Sequence, residues 1–518
     1  MKHDFILLFL PYLLAFGLML LNTNGYYWDD FALIGNFSFD EMNRQFAENG
    51  NVWYGYFEWI FISMQPYGVA LSRLFTFCSF FICGVIIYQI LKSMRLFSAY
   101  EIYGISILFL LLPFNTISRN ALINVPYTLC YLLFFVAFFA LLYFCASKNT
   151  WIKGIYRICA LVCFFISFTM NSLLIFYALA LAYLLYVHYA NTPYKSRSSS
   201  SIGWFMAWIW KHIDFILLPI IFYSVKLMYF KPYGLYEGYN AVHLSALLKS
   251  FIKTPLLSLL NLVELSYILA GAIGLLALLA VLYMLYKRSK EICKRDVWGI
   301  IAGFIIWWLG SFSYVVVHKH TSFLDLQDRF GILESLGVAI LCIFTLNAII
   351  KSSLFKHIVL GGIILCAIEV NVAAQNTLFQ AYIRQVGIFE HLKENPLFAQ
   401  FDTFRIRGDV WLGIGDDSFY QLNGLYKREF GKSDKYISLD VQSGEDCREA
   451  CYKSVTYNCE DYKGSAENYA IIYISRLYKD SFGLFRSNAK MYLLNLFAPQ
   501  TFKDKAKARF EVDIVKGT

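Results

Sequence analysis

The stretch PYTLCYLLFFVAFFALLYFC, residues 126–145, contains no charged side chain over twenty residues. A helix of that length is about 30 Å long, the thickness of the hydrocarbon core of a bilayer. Similar runs recur between residues 5 and 374, and charged residues make up only 16% of the 518-residue chain, against roughly a quarter in a soluble protein. The sequence therefore predicts a polytopic α-helical membrane protein and excludes a cytosolic globular enzyme.

Eleven apolar runs are predicted to cross the membrane. They are residues 5–21, 68–91, 101–113, 126–145, 157–170, 172–189, 213–230, 261–286, 297–317, 331–350 and 358–374. The loops on the N-terminal side carry twice as many lysines and arginines as the opposite loops. The positive-inside rule then predicts a cytoplasmic N-terminus and an exported C-terminal segment. Two interpretations fit residues 157–189, since 168–172 leaves almost no turn: two spans, or a broken helix pair that enters the membrane and returns.

The chain is predicted to have two domains, a transmembrane domain over 1–374 and a soluble exported α/β domain over 375–518. In the second domain, residues 409–414 and 469–474 are predicted to be strands because they are apolar segments bounded by glycine and charge. Three cysteines, Cys447, Cys451 and Cys459, lie in this domain. In an oxidising compartment they are expected to form one disulfide. A pair that includes Cys459 is favoured, because a Cys447–Cys451 link closes a small ring.

The chemical signal lies in the outside loop 22–67, which is far longer than a helix hairpin requires. It opens with YYWDDF, residues 26–31, which places Asp29 and Asp30 beside each other among interfacial aromatics. Adjacent acids near a low-dielectric boundary raise each other's pKa, and a raised pKa makes a carboxylate a usable proton acceptor. The alternative is an aromatic anchor carrying two solvated acids. Next, Ser38 and Glu41 form a capping-box pattern that predicts an amphipathic membrane-surface helix running to about residue 61.

A short acidic motif after the first span, a surface helix, many spans and an exported tail together resemble the GT-C class of integral membrane glycosyltransferases. The YYWDDF segment is most similar to bacterial O-antigen glucosyltransferases of the Gtr type. The likeness covers about the first 75 residues and is one of architecture beyond them. The family's Gly-Arg-Pro-like motif is absent at the second span, where residues 65–73 read QPYGVALSR. The resemblance implies a bacterial inner-membrane enzyme with a periplasmic C-terminal domain.

The resemblance implies transfer of a sugar, glucose in that family, from undecaprenyl phosphate to a surface polysaccharide such as the O-antigen of lipopolysaccharide. Asp29 or Asp30 would then be the base for the acceptor hydroxyl, with the other acid or Glu41 orienting the acceptor or a divalent cation such as Mg²⁺ or Mn²⁺. The departing phosphate needs cations. The candidates, in order of preference, are Arg329, Arg73, Lys226 and Lys231.

Several alternatives stay open from the sequence alone. Arg73 is equally compatible with snorkelling to the interface, and Arg329 with an ion pair to Asp325 or Asp328. A metal site at His318 and His320 with Asp325 is a weaker hypothesis, because alternate positions give poor ligand geometry. For the whole chain, a polysaccharide or lipid flippase is the competing function, although it would not need an exported domain. The expected partners are the lipid-linked sugar, the polysaccharide acceptor and the bilayer, and no nucleic acid.

Overall fold

The computed structural model describes residues 2–34, 38–192, 201–237, 244–288, 291–408, 419–439, 459, 461–464, 468–477 and 483–517. The described chain is mostly helical, with one four-stranded sheet near its C-terminal end. The helices of the first half are α1 (Lys2–Leu21), α2 (Asp30–Ile34), α3 (Phe39–Glu48), α4 (Val52–Ser63), α5 (Gly68–Met94), α6 (Ala99–Leu111), α7 (Val125–Ala146), α8 (Thr150–Ser167), α9 (Ser172–Phe176), α10 (Ala178–Asn191), α11 (Ser201–Lys211) and α12 (Ile213–Tyr229). The helices of the second half are α13 (Leu244–Arg288), α14 (Lys294–Val315), α15 (Ser335–Ile349), α16 (Ser353–Glu394), α17 (Pro396–Gln400), α18 (Phe419–Phe430), α19 (Gly483–Phe497) and α20 (Pro499–Lys507).

Within the described residues, eight helical segments are long and apolar enough to cross a membrane. A ninth candidate is the pair α11 and α12, which is bent by 62° at a short break, and α6 and α15 are shorter apolar helices. Every one of the eleven predicted runs overlaps one of these helices. The prediction of a mostly helical chain with many apolar helices long enough to cross a membrane is therefore confirmed, whereas the number of crossings and their orientation stay predictions.

The turn at 168–172 joins two helical segments that are each long enough to span the membrane. One is α8 and the other is Ser172–Asn191, which combines α9 and α10. Their length favours the two-span interpretation of this region. The turn is also a packing point, because the indole nitrogen of Trp53 on α4 donates a 2.8 Å hydrogen bond to Oγ1 of Thr169.

The predicted surface helix over residues 38–61 is in fact a hairpin of two helices, α3 and α4. Ser38 caps α3 as expected, since its hydroxyl accepts a hydrogen bond from the backbone N–H of Glu41 at 3.2 Å. The helix cannot continue through Gly50, which has a left-handed φ of 78°. A side chain there would also lie 2.5 Å from the carbonyl oxygen of Phe230. Only glycine tolerates both conditions, so α4 starts afresh and packs into the bundle.

Helix α16 crosses the predicted domain boundary at 374/375 without a break. Its apolar face continues to be buried beyond that point, for example at Leu378 and Phe379, which are 0% exposed. Phe379 stacks on Tyr492 of α19 with ring centres 3.6 Å apart. The same helix thus begins as a candidate span and ends as a core element of the C-terminal domain.

The C-terminal sheet has the strand order β2-β1-β3-β4, where the strands are β1 (Thr403–Gly408), β2 (Tyr436–Leu439), β3 (Tyr469–Arg476) and β4 (Phe510–Lys516). β1 pairs in parallel with β2 and β3, and β4 is antiparallel to β3. The predicted strand at 469–474 is β3, whereas the predicted strand at 409–414 lies outside the described residues. Parallel β1 and β2 need a crossover, which α18 provides. This crossover places α18 against α2.

Candidate functional site

The site is built around the turn that follows α1. Trp28 adopts a left-handed backbone conformation with φ 54°, which is uncommon for a bulky residue and costs free energy. The turn is closed by backbone hydrogen bonds from Asp30 N to Tyr27 O and from Phe31 N to Trp28 O, at 3.1 and 3.2 Å. Trp28 packs against a small buried cluster that includes Ile117 and Leu326, and both Trp28 and Asp29 remain partly exposed.

Asp30 is fully buried and accepts hydrogen bonds from two backbone segments, the turn itself and the loop before α7. Its Oδ2 accepts a hydrogen bond from Tyr27 N at 3.0 Å, and its Oδ1 accepts one from Ile123 N at 2.9 Å. Burial raises the pKa of Asp30 to about 7, although the backbone donors favour the ionised form. Both oxygens of this carboxylate are therefore occupied, and Asp30 links the turn to the start of α7.

Asp29 is placed differently, although it is adjacent in sequence. Its Oδ1 accepts a 2.9 Å hydrogen bond from the hydroxyl of Tyr420 on α18, and no described residue donates a hydrogen bond to its Oδ2. Burial raises the pKa of Asp29 to about 6, opposed by the Tyr420 hydrogen bond and by the positive charge of Arg329. Among the two paired acids, Asp29 is thus the one with an oxygen available to a substrate.

Arg329 is on the short helical turn Leu326–Gly331 between α14 and α15 and lies against Trp28, the residue that precedes Asp29. Its guanidinium carbon is 3.8 Å from the centre of a Trp28 ring and 4.6 Å from that of Phe330. The two acids proposed as its ion-pair partners have other partners. Asp328 accepts hydrogen bonds from Ile117 N and Ser118 N at 2.6 and 3.1 Å, and burial raises its pKa to about 6.

The second sequence candidate for an ion pair, Asp325, caps its own turn. It accepts hydrogen bonds from Gln327 N at 2.6 Å and from the Ser322 hydroxyl at 2.8 Å. These contacts orient the Leu326–Gly331 turn and so direct Arg329 toward Trp28. The acidic neighbours of Arg329 thus shape the loop that carries it.

Arg73 lies behind the turn rather than at its open side. It is 1% exposed, and its guanidinium donates to the carbonyl oxygens of Gly25 and Asn120. It also lies 5.4 Å from the centre of the Tyr27 ring. Interfacial snorkelling would leave the guanidinium in contact with water, and this burial does not. Arg73 holds the α1–α2 turn onto the segment that precedes α7.

That segment, residues 112–124, connects α6 to α7 and was not recognised from the sequence. Its polar residues are buried, including Thr116, Ser118 and Asn120, which are 0%, 1% and 2% exposed. It supplies the groups that bind Asp30, Asp328 and Arg73. A sequence signal existed, since NTISRN at 115–120 is a polar cluster between two apolar runs. We call residues 112–124 the polar loop.

Glu58 on α4 is a further buried carboxyl, and no motif in the sequence around it predicts a role. It is 0% exposed, and neither carboxyl oxygen has a hydrogen-bond partner among the described residues. Burial raises its pKa well above the ordinary range, and repulsion from Asp30 adds to this effect. Glu58 therefore holds its proton more tightly in the folded protein than in the unfolded chain.

The remaining candidates lie away from Asp29. Glu41 accepts a hydrogen bond from the Ser38 hydroxyl at 2.9 Å, and Lys226 donates one to Asn171 at 3.0 Å. Lys231, His318 and His320 are exposed. Within the described ranges, no hydrogen bond or ion pair connects these five residues to either acid, and no group of three or more His, Cys, Asp or Glu side chains has the arrangement of a metal site.

Of the three cysteines predicted to include one disulfide, only Cys459 is among the described residues. Cys459 is disulfide-bonded and fully buried. Cys447 and Cys451, its two predicted partners, lie outside the described residues. Cys459 packs in a small cluster with Phe419, Tyr436 and Tyr462, next to Tyr420.

Comparisons with protein-family models, with characterised proteins and with solved structures find no match for this chain.

Proposed function

We propose that the protein is a glycosyltransferase that moves a sugar from a polyprenyl phosphate to a polysaccharide acceptor at the outer face of the membrane. One observation carries this proposal. In the turn after the first apolar helix, Asp29 has a carboxylate oxygen to which no described residue donates, and the guanidinium of Arg329 lies on the ring of the preceding residue, Trp28. A reaction that removes a proton from a hydroxyl while a phosphate departs needs a base and a cation close together.

In this transfer Asp29 is the base that accepts the proton of the acceptor hydroxyl. The acceptor hydroxyl oxygen attacks the anomeric carbon of the sugar, and its proton passes to Oδ2 of Asp29. The bond between the anomeric carbon and the phosphate oxygen breaks, and its electron pair stays on the departing polyprenyl phosphate. Attack from the side opposite the phosphate inverts the anomeric configuration. The ring contact with Trp28 orients Arg329, whose charge stabilises the extra negative charge on the phosphate.

The position of the site suits a lipid-linked donor. Asp29 and Trp28 follow α1, an apolar helix that qualifies as a membrane span. A polyprenyl tail would lie among the lipid chains while its phosphate reaches the end of that helix. The acceptor is polar and would approach from the side of the C-terminal domain, where Tyr420 meets Asp29.

The direct test is an assay with purified protein, a polyprenyl-phosphate-linked glucose and the surface polysaccharide of the host. We expect mass spectrometry to find one added hexose per repeat and free polyprenyl phosphate in equal amount. Movement of the intact lipid across a vesicle membrane without cleavage would instead establish a flippase. A second arm compares the surface polysaccharide of cells with and without the gene, and identifies the sugar and its linkage.

A further inference from the structure

Helix α18 of the C-terminal domain reaches Asp29 at its first turn. Tyr420 is the second residue of this helix, and its hydroxyl donates to Oδ1 of Asp29 across 391 positions of sequence. The amide nitrogen of Gln421 lies 3.4 Å from the same hydroxyl and donates to it. The phenol oxygen is therefore held between an amide donor and the carboxylate, which fixes its proton toward Asp29.

The position of α18 is set by contacts that do not involve Asp29. Arg428, two turns further along α18, lies 4.4 Å from the centre of the Tyr26 ring and donates to the carbonyl oxygen of Asn24 at 3.4 Å. On the neighbouring helix α19, Tyr492 donates to the carbonyl oxygen of Gln375 at 3.2 Å, and Asn495 donates to that of Leu21 at 3.1 Å. The C-terminal domain is thus docked on the end of α1 and on the middle of α16, and these contacts hold α18 where Tyr420 reaches Asp29.

We propose that Tyr420 is a positioning residue for Asp29, so that the C-terminal domain completes the site that the membrane helices begin. This inference rests on the proposed function. The phenol holds Oδ1, which leaves Oδ2, the oxygen to which no described residue donates, to receive the acceptor proton. A carboxylate free to rotate would present Oδ2 correctly only part of the time, and orientation of this kind contributes to rate.

The same hydrogen bond acts on the ionisation of Asp29. A donor to the ionised form stabilises that form and lowers the pKa, in the direction opposite to burial. The charged and titratable groups around Asp29 are Arg329 on the Leu326–Gly331 turn, Tyr420 on α18 and the neighbouring Asp30. Arg329 and Tyr420 both favour the carboxylate. Without the phenol hydroxyl, only Arg329 opposes the effect of burial, which raises the pKa of Asp29. The pKa of Asp29 is therefore expected to rise.

The test is the pH profile of kcat/KM for Tyr420→Phe in the full-length protein, which removes one oxygen and keeps the ring. A base must be deprotonated, so the rate rises with pH through the pKa of Asp29. We expect the acid limb, which is the rise of kcat/KM with pH, to have its midpoint near pH 6 in the wild type. In the variant this midpoint should move upward by about one pH unit, the size expected for one hydrogen bond to a charged group. The shift alone lowers transfer about fivefold at pH 6, and above pH 8 only the loss that comes from the freely rotating carboxylate remains.

Tyr492→Phe is the matched control, since it removes a hydrogen bond between the C-terminal domain and α16 without touching Asp29. We expect its acid limb to coincide with that of the wild type. An unmoved limb in Tyr420→Phe, with or without a uniform fall in rate, would overturn the positioning role. So would an equal shift in Tyr492→Phe, because the effect would then come from docking. Asp29→Asn separates the two proposals: if that variant keeps near-normal transfer, the base assignment itself is wrong.

Discussion

The guanidinium of Arg329 lies 3.8 Å from the centre of a Trp28 ring, although the two residues are separated by most of the transmembrane helices. This contact brings a cation from the α14–α15 loop to the turn that follows α1. The left-handed conformation of Trp28 turns its ring toward that loop. A strained backbone at a position that orients a charged group is common at functional sites. The contact places the guanidinium of Arg329 on the residue that precedes Asp29.

Replacing Arg329 by Lys keeps the charge but loses the planar fork and its stacking on Trp28. We expect kcat for transfer from purified lipid-linked sugar to fall by about tenfold or more, with the melting temperature nearly unchanged. Arg73→Lys is the matched comparison. Because Arg73 is buried and donates to two carbonyl oxygens, its replacement should mainly lower the melting temperature. If only Arg73→Lys impairs transfer in protein that remains folded, the phosphate site belongs at the second span.

Asp30 and Asp29 should differ in what they contribute to stability. Asp30→Ala leaves the buried N–H groups of Tyr27 and Ile123 without their acceptor. We expect the free energy of unfolding to fall by about 2–6 kcal/mol, from about one to three for each of the two unpaired groups. Asp29→Ala removes a single hydrogen bond to Tyr420, and about 1 kcal/mol is expected. Denaturant titration in detergent measures both, and equal losses would contradict the structural role of Asp30.

Glu58 should make stability depend on pH. Its pKa in the folded protein lies well above its ordinary value, so the unfolded chain ionises first as pH rises. The folded state therefore loses stability relative to the unfolded state above about pH 4.5, by about 1.4 kcal/mol for each pH unit until the folded pKa is reached. Glu58→Gln removes this dependence. We expect the stability of the variant relative to the wild type to increase as pH rises above about 4.5, and a difference that does not change with pH would contradict a raised pKa for Glu58.

The topology predicted from the basic residues places the C-terminal domain outside the cytoplasm. A reporter that functions only in the exported compartment should be active when fused after residue 400. A fusion within the α14 amino-terminal loop, near Lys294, serves as the cytoplasmic control. Reporter activity at the control position but not after residue 400 would reverse the orientation and place Asp29 on the cytoplasmic side.

The fold class was predictable because hydrophobic length is a property of each segment alone. Each of the eleven predicted runs overlaps a helix, and the β3 strand lies where the apolar pattern placed it. The break at Gly50 was not predicted, since it depends on the carbonyl oxygen of Phe230. The continuation of α16 past residue 374 was missed because its buried face packs on α19 and α20, whose positions hydropathy does not report.

The site was predictable only in its local part. Asp29 was recognisable as one of a pair beside a span, and Arg329 as a cation in an outside loop. The difference between Asp29 and Asp30 depends on Ile123 and Tyr420, which are distant in sequence. Tyr420 carried no local signal, because nothing in FYQLNG, residues 419–424, distinguishes it from an ordinary helix. Roles that depend on long-range contacts appear only when the chain is folded.

The most direct test of the account is the rate of sugar transfer by Asp29→Asn and Asp30→Asn, each purified and shown to be folded by its melting temperature. Asparagine keeps the shape of aspartate but does not accept a proton. If Asp29 is the base, we expect kcat/KM of Asp29→Asn to fall by about 10²–10⁴-fold at every pH, the range typical of the loss of a general base. Asp30→Asn should lose stability but retain most of its transfer rate when folded. Near-normal transfer by Asp29→Asn would contradict the central claim.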